Sequence, residues 1–314
     1  PGTAFKKRRG KVMRKKGKTI RPMALKGNTV SFGFAVPALA LYTVLLIVPI
    51  IIAFGFSFTS WNGIATTTPK FIGFDNYAAM FQDERLGNAI GVTVTITVVV
   101  VVCVNVFGLL LAMLLNHAGK MTNVSRSVFF APYVLSTVAI SFIWLSILSY
   151  TGILNSIFEA LGWEGLIKNY LGTQQEAIAS ICVVEIWRTL GFHMVIYLAA
   201  LQTVPADLYE ACTVDGGSRW HKFRYVTLPL IAPGITISLL MSIINELRMY
   251  DIVKVLTDGG PGYATETITY NIVTQAFGNN MLGYSSAIAV FLFAVIATVA
   301  IIQIKVTTKK EVEY

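Results

Sequence analysis

Six stretches of this chain, at about 31–59, 89–115, 128–150, 177–203, 230–256 and 282–304, are each predominantly apolar over twenty residues or more. A bilayer core about 30 Å thick needs about 20 such residues in a helix. The β-branched run Val98–Val102 would suit a buried strand in water. Inside the apolar stretch 89–115, however, a lone strand would leave backbone groups unpaired in lipid. The prediction is an all-α membrane protein of six transmembrane helices. Composition agrees, because 55% of residues are hydrophobic and only 13% charged, against about a quarter charged in soluble domains. The first stretch is longer than the apolar core of a signal peptide and lacks a clean small-x-small cleavage site, so it reads as a retained helix.

The net charge of +9 raises nucleic-acid binding, but 11 of the 25 Lys and Arg residues fall before residue 31. A basic tail ahead of an apolar helix is a topology signal and a contact for anionic lipid. With the N-terminus inside, the inner segments (the tail, 116–127, 204–229 and the end from Lys305) hold nineteen Lys and Arg residues. The outer segments 60–88, 151–176 and 257–281 hold three. Both termini are therefore predicted to be cytoplasmic. The organisation expected is a basic tail (1–30), a transmembrane domain (31–304) and a C-terminal tail (305–314). Cys103, Cys182 and Cys212 lie far apart without a CxxC pair and read as small core residues, with no metal site and no cofactor.

The loop between the fourth and fifth spans, 204–229, is the most informative segment. Pro205 suits a first helical turn, Asp207 and Glu210 favour a helix N-terminal half, and Leu208, Ala211 and Cys212 form a small apolar stripe. Gly216-Gly217 should stop that helix, and Ser218 can cap a second. The result is a compact helix–turn–helix suited to docking on another protein.

This loop resembles the EAA motif of ABC importer permeases, Glu-Ala-Ala, three residues, Gly, nine residues, Ile-x-Leu-Pro. The chain reads Glu210-Ala211-Cys212, Gly216 and Val226-x-Leu228-Pro229 at the same spacings, with Cys212 and Val226 as mild departures. Asp207-Leu208-Tyr209, Val214-Asp215-Gly216-Gly217 and the Leu-Thr-x-Gly-Gly-Pro run at 256–261 resemble the carbohydrate-uptake, maltose-type branch. The resemblance covers the chain from residue 31.

It implies a permease subunit in a bacterial or archaeal inner membrane that passes a di- or oligosaccharide inward. It implies partners too: a second permease, most simply a different chain, a dimer of ATPase subunits carrying ATP and Mg, and an extracytoplasmic sugar-binding protein. Pro205, Leu208, Tyr209, Glu210, Ala211, Asp215, Gly216 and Gly217 would form the coupling helix received by the ATPase. No GxxxxGK[ST] run exists, so this chain has no phosphate-cradling loop of its own.

Charged groups within spans are costly and usually face a bundle interior. Glu185, Arg188, Thr189 and Phe192 share one face of the fourth span, and Ser242, Asn245, Glu246 and Met249 repeat that spacing on the fifth. By the resemblance these stripes fall where substrate-lining residues occur. The alternative for Glu185 and Arg188 is an i, i+3 pair that only braces the bundle. Arg248, Asp251 and Lys254, again at i+3, read as an ion-pair ladder or gate. His193 has no companion at ligand spacing and reads as a satisfied core histidine. The competing function classes are a stand-alone secondary transporter or channel, whose internal repeat is not evident, and an intramembrane enzyme, whose catalytic cluster is not evident. Arg188, Arg248 and Lys254 keep an acidic sugar or a glycerol-phosphate-type solute open as substrates.

Overall fold

The computed structural model describes residues 27–117 and 119–308, with side chains from 35 to 117 and 119 to 307. The basic run before residue 27 and the end after residue 308 lie outside the described residues. By its contacts the chain divides into the units Pro1–Ile51 and Ile52–Tyr314.

The regular structure among the described residues is helical, apart from one isolated bridge between Thr59 and Phe71. Helix α1 comprises Gly27–Tyr42, a π-helical turn Thr43–Ile47, and Val48–Phe56. The chain continues through α2 (Asp75–Met80), α3 (Glu84–Leu114), α4 (Lys120–Val134), α5 (Thr137–Leu148) and α6 (Ile153–Ala160). Then come α7 (Gln174–Gln202), α8 (Ala206–Val214), α9 (Arg219–Leu230) and α10 (Ala232–Leu247). The last are α11 (Asp251–Leu256), α12 (Ile268–Val273) and α13 (Leu282–Thr308).

Five helical segments among the described residues are long and apolar enough to cross a membrane. A sixth exists if α9 and α10, bent by 67° at Ile231, are counted as one span. Two predicted spans therefore need correction. The stretch 128–150 is interrupted at Leu135–Ser136, where both residues are extended, and α4 starts earlier, within the predicted loop 116–127. The stretch 230–256 unwinds at Arg248–Tyr250 before α11 resumes. Apolar counting reads side chains and is blind to such backbone breaks. The break at 248–250 is tolerable because the freed Met249 carbonyl accepts from Thr267 Oγ1 at 2.7 Å.

Within the second unit, α7 is the central element, packed along α3 and against α4 and α10, with α13 against α10 and α12. Helix α3 buries a stripe of Val92, Ile96, Val100, Val104, Gly108 and Ala112, four residues apart throughout. Its other faces leave Val94, Val98, Val102 and Phe107 exposed, as a lipid-facing surface would. Small residues mark the crossings. A Cβ on Gly191 of α7 would lie 2.0 Å from the Phe129 carbonyl oxygen of α4, and one on Gly234 of α10 would lie 2.5 Å from the Ala200 Cβ. Helices without a hydrophobic drive to associate in lipid rely on such close backbone approach.

A polar hub ties three of these helices together. Asn105 of α3 accepts from Tyr197 Oη of α7 at 2.6 Å and from Ser238 Oγ of α10 at 2.7 Å. Its amide donates to Ser242 Oγ at 3.0 Å and to the Val101 carbonyl at 2.7 Å. His193 is buried and its Nδ1 lies 2.8 Å from Ser238 Oγ, which satisfies it as a core histidine.

Candidate functional site

Above this hub, where α10 unwinds, lies a cavity of about 450 Å³. Its lining comes from α4 and α5 (Tyr133, Thr137), α7 (Glu185, Arg188) and the α10–α11 break (Asn245, Arg248, Met249, Tyr250, Asp251, Ile252). Of the eight residues predicted to line a pathway, Glu185, Arg188, Asn245 and Met249 reach this cavity. The other four stand behind it. Thr189 donates to the Glu185 carbonyl at 2.7 Å, Phe192 stacks on Tyr133 at 4.4 Å, and Ser242 belongs to the hub. Glu246 is buried, with its carboxyl against Glu185 and Arg188.

Arg188 donates from Nε and Nη2 to the two Glu185 oxygens at 2.9 and 2.5 Å, the geometry of a bidentate pair. Its guanidinium also lies over the Tyr133 ring, 5.9 Å from the centroid, so Tyr133 carries Arg188 and Phe192 together. The ion pair left open as a brace thus forms, and it forms in the cavity wall.

The ladder expected of Arg248, Asp251 and Lys254 does not exist, because no single helix carries all three residues. Arg248 caps α10 and Asp251 opens α11. Lys254 reaches onward, with Nζ 2.5 Å from Asp258 Oδ1. The Lys254 ammonium and the Tyr270 hydroxyl together hold the Asp258 carboxyl below its ordinary value. Arg248 and Asp251 instead face the cavity, and neither has an ion-pair partner among the described residues.

Sequence reading missed Tyr133, Thr137 and Tyr250 as lining, and it missed Asn105, Tyr197 and Ser238 as the support beneath. It also missed Arg85, which forks Glu266, itself bonded by Asn271 Nδ2 at 3.2 Å. Asn105 in an apolar run was the one available signal, since an amide in a span demands partners.

The loop 204–229 folds as the helix–turn–helix expected. Pro205 is the N-cap of α8 rather than its first residue. Gly216 takes φ +79°, and the α8 terminus closes with Gly217 N–H to the Cys212 carbonyl at 2.8 Å and Gly216 N–H to that of Thr213 at 3.0 Å. This is the Schellman pattern, which a left-handed glycine permits. Ser218 then accepts from the His221 backbone at 3.4 Å to begin α9, and Tyr209 Oη meets Thr227 Oγ1 at 3.1 Å to fix one helix on the other. Leu208, Tyr209 and Cys212 are half-buried, while Glu210, Ala211, Asp215 and Gly216 are exposed. The three cysteines are free, and among the described residues no cluster fit to hold a metal ion occurs.

Long apolar helices packed through small residues around a polar cavity define a multi-pass membrane protein with a polar interior. The chain belongs to the family of binding-protein-dependent transport system inner membrane components, whose pattern matches residues 104–310. It is 36% identical over 282 residues to the probable starch degradation products transport system permease protein AmyD of Thermoanaerobacterium thermosulfurigenes, covering 89% of this chain and 94% of that one. It is 32% identical to the multiple sugar-binding transport system permease protein MsmF of Streptococcus mutans, covering 89% and 95%. The fold matches a chain of a bacterial ABC transporter that imports the acidic polysaccharide alginate, with TM-score 0.78 at 21% identity over 90% of this chain and 96% of that one.

Proposed function

We propose that this chain is the sugar-conducting permease subunit of an ATP-driven importer in the cytoplasmic membrane, with both termini cytoplasmic and the loop 205–217 as its coupling element. Family membership carries the transport role. Relatives at 32–36% identity named for starch products and multiple sugars support a di- or oligosaccharide as cargo. The observation that carries the coupling assignment is the exposed, rigidly closed α8 at the EAA spacing. A short helix closed at its C-terminus and tied to the next helix transmits a push, whereas a floppy loop absorbs it. The excess of Lys and Arg on one side supports placing this loop in the cytoplasm.

The solute passes through the cavity at the α10–α11 break. Its volume lies in the range of small-ligand pockets, about 300–1,000 Å³, and its amide, carboxylate and guanidinium groups suit hydroxyl-rich solutes. This chain has no ATPase site; ATP and Mg belong to a partner dimer, a second permease completes the pathway, and an extracytoplasmic protein delivers the sugar. The test is uptake of labelled oligosaccharide into proteoliposomes holding the co-purified complex. Uptake that requires ATP inside supports the assignment. Uptake independent of ATP would refute it in favour of a secondary transporter.

A further inference from the structure

Three bases on α7, α10 and α11 left the charge of the solute open in the sequence, and the structure gives two of them acidic partners. Arg188 is neutralised by the bidentate Glu185. Lys254 is neutralised by Asp258 and does not line the cavity. Arg248 is the remaining base, and Asp251, three residues on, faces the same space. The lining therefore holds two acids and two bases.

Resting on the sugar-importer reading above, we infer that this cavity is built for an uncharged, hydroxyl-rich solute, and that Asp251 is the specificity residue that keeps acidic saccharides out. An ionised carboxylate only accepts hydrogen bonds, so Asp251 needs donors from the solute, which vicinal hydroxyls supply. Arg248 only donates, and ring or hydroxyl oxygens accept from it. A neutral sugar satisfies both groups with one face. A uronate would satisfy Arg248, but would bring its carboxylate beside Asp251, the acid of the lining that has no ion-pair partner among the described residues. Arg188 compensates little, because its charge is already paired with the Glu185 carboxylate.

The experiment is a thermal-shift titration of the co-purified complex in nanodiscs, without binding protein. The neutral set is maltose to maltotetraose, cellobiose and raffinose, and the acidic set is di- and trigalacturonate. The expected result is that at least one neutral saccharide raises Tm and neither galacturonate does. Asp251→Asn should then gain a response to trigalacturonate at a concentration at least tenfold below the highest that leaves the wild type unmoved. Asp251→Ser serves the same purpose if the asparagine variant does not fold. A wild-type response to galacturonates at the same concentrations as the neutral sugars overturns the inference, as does an unchanged preference in both variants. Silence from every saccharide overturns the sugar-importer reading itself, which separates the two failures.

Discussion

Arg188 grips Glu185 through two parallel hydrogen bonds on one face of α7, with only 15% of the arginine side chain and 3% of the glutamate side chain exposed. A pair this buried does two things at once. It closes part of the cavity wall, and it removes both charges from the account a solute meets.

Removing one partner should be far worse than removing both. Arg188→Ala leaves a buried carboxylate uncompensated, a cost of about 3–5 kcal/mol. The double variant Glu185→Leu/Arg188→Met keeps volume without charge and should recover most of that loss. Thermal denaturation of the detergent-solubilised chain checks this. A double variant less stable than Arg188→Ala would contradict the pairing.

The Asn105 hub predicts a second stability effect. Asn105→Leu strands the Tyr197 and Ser238 hydroxyls and should cost about 1–3 kcal/mol. Ser238→Ala removes one arm and should cost about 1 kcal/mol or less. Combining the two should cost less than their sum, because they share a bond. Strict additivity in a double-mutant cycle would show that the hub is not a unit.

Two glycines should respond oppositely to alanine. Gly191→Ala drives a Cβ into the Phe129 carbonyl and should cost on the order of 1–3 kcal/mol by forcing α4 from α7. At Gly91, exposed on α3 with nothing near its virtual Cβ, alanine should gain roughly 0.5–1 kcal/mol from helix propensity. Equal melting temperatures for the two variants would disprove the close crossing.

Coupling should fail at Gly216 without loss of assembly. Proline is locked near φ −65° and cannot take the +79° that closes α8. Gly216→Pro, and more mildly Glu210→Ala, should leave the protein in the membrane while sugar uptake falls and ATP hydrolysis loses its response to solute. Normal uptake by a well-expressed Gly216→Pro variant would sink the coupling assignment.

Much of this molecule was legible in the sequence, for identifiable reasons. The long apolar helices follow from the energetics of lipid, and α8 with its Gly216 stop follows from local backbone chemistry. Both are properties of contiguous residues. The breaks at Leu135–Ser136 and Arg248–Tyr250 were not legible, because apolar content continues across them while the backbone does not. The false ladder of Arg248, Asp251 and Lys254 followed directly from assuming one helix there. Tyr133 and Asn105 were missed for another reason. Their roles arise where α4 crosses α7 and where α3 meets both α7 and α10, and such crossings leave no periodic mark on one segment.

On the function proposed above, this chain works only as the permease of an ATP-driven assembly. A mild-detergent pull-down of the tagged chain, read by mass spectrometry and an ATPase assay, tests it most directly. A stoichiometric ATP-hydrolysing subunit and a second permease are expected in the eluate. A folded chain that elutes alone, without ATPase activity, and still moves sugar across a membrane would contradict it.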